Sequence, residues 1–278
     1  MNAASRRAHP RIAVNTLSLE PAPFQAHVDQ IARLGVAMLT PVVREIHACG
    51  ASAAAAAIGD AGLAVAALTH GGFTFADKAG AAAGRDQLDR TIEVAAAIGS
   101  PAISMTTGGR GELSWPQAAL RFAEEVAPCV DRARAAGVAL AIEPVSHLYA
   151  GISIVHRLSD VVSVARRAGI NLGIDLFPCW VDSDIDEAIV AAAPLCSFVQ
   201  VSDFVQGDQT LPCRAVLGDG ALPLDRLVSQ IIRAGFKGPF DIEILGPRLA
   251  AEGHEAGLRR SIAKLESLIE AAEAARPG

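Results

Sequence analysis

Four helix-ending glycines, each followed by an apolar run, set the tightest limit on what this chain can fold into. They stand in Ala61-Gly62-Leu63, Ala136-Gly137-Val138, Ala168-Gly169-Ile170 and Ala234-Gly235-Phe236. A glycine just past a periodic alanine-rich run closes a helix, because it enters the left-handed region without a Cβ clash. The short β-branched run after it reads as a strand. Extending that rhythm predicts strands at Arg11–Thr16, Val36–Thr40, Leu63–Thr69, Pro101–Thr106, Val138–Glu143, Asn171–Asp175, Ser197–Val201 and Pro239–Ile244. The intervening helices are expected at Pro23–Leu34, Ala51–Gly59, Arg85–Ile98, Trp115–Ala136, Leu158–Ala168, Ile185–Ala193, Pro223–Ala234 and Glu255–Ala272. Ser114, ahead of Trp115-Pro116, is the expected N-cap of the fourth helix.

Strands separated by helices pair in parallel. Eight such units in 278 residues is the arithmetic of an α/β fold of the closed (β/α)8 TIM-barrel type. The competing architecture is an open doubly wound sheet. Its dinucleotide signature, GxGxxG after the first strand, is absent. No composition break divides the chain, so residues 1–278 are expected to form one domain, with 1–10 a flexible tail.

Composition narrows the function. Hydrophobic residues make up 51% and charged residues 19%, enough apolar material for a large core. The net charge of −6 and the 4% aromatic content argue against a phosphate-backbone partner and against base stacking. No nucleic-acid partner is therefore expected. No apolar run reaches the length of a membrane span, and no apolar stretch follows Arg6 and Arg7 before Pro10. The five cysteines are odd in number and form no CxxC pair, which disfavours a disulfide framework and points to the cytoplasm.

In a parallel barrel, function gathers at the C-terminal ends of the strands. The last four strands each carry an oxygen donor there: Glu143 in AIEP, Asp175 in GIDLF, Gln200 in FVQVSD and Glu243 in DIEIL. A lone carboxylate in an apolar run is usually a structural acid with a basic partner. Three carboxylates converging on one mouth repel each other and lose hydration, and a divalent cation resolves both problems. An all-oxygen set favours Mn²⁺ as first choice, with Mg²⁺, Co²⁺ or Zn²⁺ as alternatives. Glu143 and Glu243, from the fifth and eighth strands, are the expected catalytic pair: one removes a proton next to a carbonyl and the other returns it.

At these residues the sequence resembles the xylose isomerase-like TIM-barrel superfamily of sugar isomerases and epimerases. The likeness rests on Glu143-Pro144, Asp175, Gln200-Val201-Ser202-Asp203, the segment Arg214-Ala215-Val216-Leu217-Gly218-Asp219-Gly220, and Glu243. It implies that Glu143, Asp175, Gln200 and Glu243 hold the metal and that the two glutamates are the acid/base pair. It also implies that Arg214 reaches substrate, with Asp203 orienting it. Gln200 replaces the commoner histidine, as in hydroxypyruvate isomerase-like and 3-dehydroshikimate dehydratase-like members. Pro178 stands where many members carry a substrate-touching histidine. His70, at the end of the third strand, His147, after Glu143, and Trp180, after the sixth strand, are further expected substrate contacts; for His70 and Trp180, capping or packing is the equal alternative.

The expected activity is divalent-metal-dependent isomerisation or epimerisation of a small sugar or polyhydroxy carbonyl compound. The alternative is a dehydratase of the 3-dehydroshikimate or inosose type, which begins with the same proton abstraction. Less favoured alternatives are an abasic-site endonuclease, whose superfamily members carry a histidine-rich three-zinc cluster, and a non-catalytic sugar-binding barrel, which the Pro178 departure leaves open. The alanine-rich helices leave outer surface for a homodimer or homotetramer.

Overall fold

The computed structural model describes residues 7–275. Its elements, in chain order, are β1 (Ile12–Asn15), α1 (Phe24–Leu34), β2 (Met38–Thr40), α2 (Val43–Cys49), α3 (Ala51–Asp60), β3 (Ala64–Val65), β4 (Leu68–Gly72) and α4 (Lys78–Ala97). There follow β5 (Ala102–Thr106), α5 (Trp115–Ala135), β6 (Ala139–Ile142), α6 (Leu158–Ala168), β7 (Asn171–Asp175), α7 (Leu176–Cys179) and α8 (Ile185–Ala192). The last are β8 (Cys196–Val201), α9 (Leu224–Arg233), β9 (Phe240–Ile242), α10 (Pro247–Glu252) and α11 (His254–Ala274).

The strands form one parallel sheet in the order β3-β2-β1-β9-β8-β7-β6-β5-β4. The two end strands are halves of one expected strand, broken at Ala66-Ala67. A parallel bridge between Val42 and Thr69, with the Thr69 N–H donating to the Pro41 carbonyl at 2.9 Å, joins the ends. Nine strands thus close the eight-stave barrel. Gly35 and Gly169 end α1 and α6 in the left-handed conformation, as expected of helix-closing glycines. Ser114 caps α5, and its N–H donates to the Gln117 side chain at 3.0 Å. Helix α4 begins seven residues earlier than expected because Asp77 caps it, accepting from the Gly80 N–H at 2.9 Å. The short helices α2, α7 and α10 lie in connections read as loops.

Part of the expected flexible tail, residues 1–6, lies outside the described residues. The rest of it is held: the Ala8 N–H donates to the Gly35 carbonyl at 3.0 Å, and His9 lies 3.4 Å from Glu273. Among the described residues no helix is long and apolar enough to cross a membrane.

Inside the barrel, strand alternation stacks the side chains in layers. Phe198 lies among Ala67, Ala102 and Ala141 in a small cluster of its own. Gly173 is paired with it across β7 and β8. A Cβ at Gly173 would come within 2.2 Å of the Phe198 ring, so only glycine fits there. Two residues further along the same strands stand Asp175 and Gln200, one layer nearer the mouth.

A buried polar brace holds the β1–α1 connection. The Thr16 hydroxyl donates to Glu45 at 2.8 Å, and His27 Nδ1 lies 3.4 Å from the same carboxylate. The Glu45 carboxylate beside it raises the His27 imidazole above 6.5, despite burial. Burial pushes Glu45 up, but His27 and Thr16 outweigh it and hold the carboxyl below 4.5. Stability from His27 is lost as pH rises through its folded pKa, and stability from Glu45 is lost as pH falls through its own. The brace is therefore strongest between about 4.5 and 6.5. The Tm deficit of His27→Gln should be largest in that window and shrink on both sides; a deficit independent of pH would contradict the brace.

Candidate active site

The β6, β7, β8 and β9 strands deliver their polar residues to one end of the barrel. Register places Asp175, Gln200 and Asp241 side by side on β7, β8 and β9. Glu143 follows the last residue of β6, two positions beyond the inward Ala141. Glu243, just past the end of β9, lies two positions beyond Asp241, so both acids face inward. Above this floor opens a cleft of about 850 Å³ that reaches Glu143, Asp175, Arg214 and Glu243.

Arg214 dominates the floor. Its guanidinium donates to both oxygens of Asp175, at 3.0 and 2.5 Å, and lies 3.1 Å from Glu243 Oε2. It also donates to the Ser202 hydroxyl at 3.1 Å and sits over the Phe177 ring at 4.8 Å. A planar fork can serve two carboxylates and an aromatic face at once; an ammonium cannot. Burial weakens the guanidinium's hold on its proton, but Asp175 and Glu243 more than compensate, so it stays charged.

The acids are held where their charge is costly. Burial, then Glu243 and Asp175, push the Glu143 carboxyl well above its ordinary value, against a 2.6 Å hydrogen bond from Ser104. Burial raises Glu243 to about 7, opposed by Arg214 and reinforced by Asp175. A carboxyl near 7 exchanges protons readily in either direction at neutral pH. Gln200 Oε1 is buried without a hydrogen-bond partner. Among the described residues, no group of three or more His, Cys, Asp or Glu is gathered closely enough to grip a metal; the fourth expected donor is the Gln200 amide.

Sequence reasoning missed two members of the floor. Asn15, at the end of β1, donates from its amide to Asp241 at 3.1 Å and to Glu243 at 3.3 Å. Its own oxygen accepts from the Leu17 N–H at 3.0 Å, which fixes the amide's orientation. Burial and then Glu243 push the Asp241 carboxyl well above its usual range. The alternation in Asp241-Ile242-Glu243 was the available signal. His156 also lines the cleft, with Nδ1 bonded to the Val145 carbonyl at 2.7 Å.

Three expected contacts sit differently from the sequence reading. His70 does not line the cleft. A register shift between Thr69 and Gly71 turns it out of the ladder, and its Nδ1 bonds the Thr91 hydroxyl of α4 at 2.8 Å. Burial lowers its pKa to about 4, so it is a neutral packing histidine. The Asp203 carboxylate is not on Arg214. It accepts from the N–H groups of Phe204, Gly218, Gly220 and Leu222 at 2.8–3.1 Å. Its backbone pairs with Ala215, so it holds the segment that carries Arg214 rather than the guanidinium. A Cβ at Gly220 would meet Asp203 Oδ1 at 2.2 Å, which explains the glycine. His147 lies exposed on the rim, in a 3₁₀ turn from His147 to Tyr149. Trp180 lines the cleft wall while packing partly on the core.

The same architecture recurs in solved structures. A protein of Sinorhizobium meliloti 1021 superposes with a TM-score of 0.86 at 25% identity, over 93% of this chain and 98% of that one. The IolI protein with a bound zinc atom gives a TM-score of 0.83 at 15% identity, covering 94% and 99%. An L-ribulose 3-epimerase gives 0.80 at 20% identity, covering 96% of each chain. No curated protein matches the sequence. The family described as xylose isomerase-like TIM barrel matches residues 28–272. A closed parallel barrel whose last strands carry its acids to one mouth agrees with that match, and the chain belongs to the xylose isomerase-like TIM-barrel family.

Proposed function

We propose that the chain moves a proton at the carbon next to a substrate carbonyl, as an isomerase or epimerase. One observation carries this reading: Glu143 and Glu243 reach the same floor from β6 and β9 with raised carboxyls, and Arg214 lies against Glu243. One glutamate takes the proton, the guanidinium stabilises negative charge on the substrate oxygen, and the other glutamate returns the proton. Asn15 and Ser104 hold the two carboxylates in place. The sugar epimerase among the similar structures supports the reaction class.

The donor chemistry of the floor suits a divalent cation, around which its acids would have to draw closer together than they stand here. Gln200 Oε1 is a buried acceptor without a partner, and three acids crowd beside it. Glu143, Asp175, Gln200 and Glu243 would hold the ion, and Mn²⁺ matches their hard oxygen chemistry. When bound, such an ion polarises the substrate carbonyl and acidifies the neighbouring C–H. Arg214 already pairs with Asp175 and Glu243, so a bound cation would share that negative charge with the guanidinium.

Solvent exchange tests the reaction. Incubation in D₂O with a panel of α-hydroxy carbonyl compounds should place deuterium on the carbon beside the carbonyl of substrate or product. A rising ultraviolet absorbance, from a conjugated product, would assign dehydration instead. Calorimetric titration should find one Mn²⁺ site that Asp175→Ala abolishes. A wild-type protein that takes up no Mn²⁺ would remove the ion from the proposal and leave the carboxylates and Arg214.

A further inference from the structure

Six large hydrophobic side chains are conspicuously exposed among the described residues. Four of them, Leu148, Ile152, Val181 and Leu211, ring the mouth of the catalytic cleft, at 59, 49, 65 and 53% exposure. They come from three separate connections, after β6, β7 and β8. Below them the walls are Phe177, Trp180, Phe204 and Leu245. Phe177 and Phe204 pack edge to face at 6.0 Å.

Several polar side chains of these walls are already engaged, while His147, Tyr149, Gln209 and Thr106 line the cleft beside them. Asp208 accepts from Thr210 at 2.7 Å and from Arg248 at 2.5 Å. His156 is bonded to a backbone carbonyl, and the Ser146 hydroxyl accepts from the Leu148 N–H at 3.4 Å. Beyond the floor, the charge on the lining is that of Asp208, which Arg248 neutralises, and apolar side chains make up most of the approach. A chain of sugar hydroxyls lying against Phe177, Trp180, Phe204 and the apolar rim would lose water without gaining hydrogen bonds there. A flat apolar group would bury its surface there at no such cost.

We propose that the substrate is an amphipathic α-hydroxy carbonyl compound, with an aromatic or similarly sized apolar group attached to the carbonyl head, rather than a polyhydroxy sugar. This rests on the proton-transfer reading for the head and on the walls alone for the tail. The head meets Glu143, Glu243 and Arg214, and the ring lies between Trp180 and Phe177 under the apolar rim.

The test pairs 2-hydroxyacetophenone with 1,3-dihydroxyacetone, which share a hydroxymethyl ketone head. Exchange of the hydroxymethyl protons in D₂O is followed by NMR with the full chain and Mn²⁺. The phenyl compound should show a kcat/KM at least about 10-fold higher, the scale on which apolar pockets discriminate. In Leu148→Asn/Val181→Asn that preference should fall by about 10-fold. Equal or faster exchange of dihydroxyacetone, or an unchanged preference in the double variant, would overturn the assignment. So would a wild-type dimer that this double variant dissociates without altering the preference, since the rim would then be an interface between copies. Binding separates this inference from the reaction it rests on. If neither ketone exchanges, yet 2-hydroxyacetophenone quenches a tryptophan fluorescence that Trp180→Phe removes, the apolar site stands and the proton-transfer reading falls. Absence of both exchange and quenching would overturn the apolar site as well.

Discussion

Replacing Glu143 or Glu243 by glutamine is expected to cut turnover on a confirmed substrate by on the order of 10²–10⁴-fold. Glutamine keeps the size of the side chain and one oxygen acceptor. The Ser104 hydroxyl can still donate to residue 143, and the Asn15 amide to residue 243. The base is what disappears. Deuterium exchange from D₂O should be lost together with turnover in both variants, because the proposed mechanism gives each carboxyl one half of the same proton transfer. Two variants that retained the parent rate would exclude the two-glutamate mechanism. A variant that lost turnover but kept exchange would limit its glutamate to the reprotonation half-step.

Removing Arg214 is expected to have the largest effect on stability. In metal-free protein near neutral pH, Arg214→Met should lower the unfolding free energy by about 3–5 kcal/mol, the scale seen when one partner of a buried ion pair is deleted. Asp175 and Glu243 would remain buried with no guanidinium between them. Denaturant titration measures the deficit directly. If a divalent cation uses the same acids, added Mn²⁺ should narrow the gap between variant and parent. Arg214→Lys should retain part of the stability, since a charge remains. Its kcat/KM should still fall by about 10-fold or more, because lysine lacks the fork that spans Asp175 and Glu243. A fully stable Arg214→Met protein would contradict the charge balance described for the floor.

The barrel was legible in the sequence because glycine stops and apolar runs recur at a regular spacing, and both act locally. The split of one stave into β3 and β4 was not, since Leu63–Thr69 reads as one unbroken apolar run. The break at Ala66-Ala67 is set by which neighbour each half must meet: β2 on one side and β5 on the other. Helix α4 began earlier than its pattern suggested because Gly80 and Gly84, which look like breakers, sit where Thr74 and Phe73 press against the helix. Glu143, Asp175, Gln200 and Glu243 were readable as strand-end residues in apolar runs. What each one touches was not. His70 left the mouth because the irregularity in β4 reversed its direction, and no residue type near it announces that. Asp203 turned to backbone N–H groups 15 to 19 residues away, a preference visible only once the loop is folded. Asn15 went unnoticed because its partners lie more than 200 positions further along the chain.

The aromatic ring of Phe198, fitted against Gly173 and ringed by alanines, gives the lumen a stopper at the end away from the acids. A barrel open at both ends would let water file through to the floor from behind. With that end sealed, protons on Glu143 and Glu243 can equilibrate with solvent only through the cleft, and a bound substrate corks that route. On the proposed proton-transfer reading, the fate of an abstracted hydrogen becomes a race between its return to carbon and the departure of the ligand. Substrate tritiated at the reacting carbon would carry part of its label into product, and the retained share would measure how long the lumen stays shut.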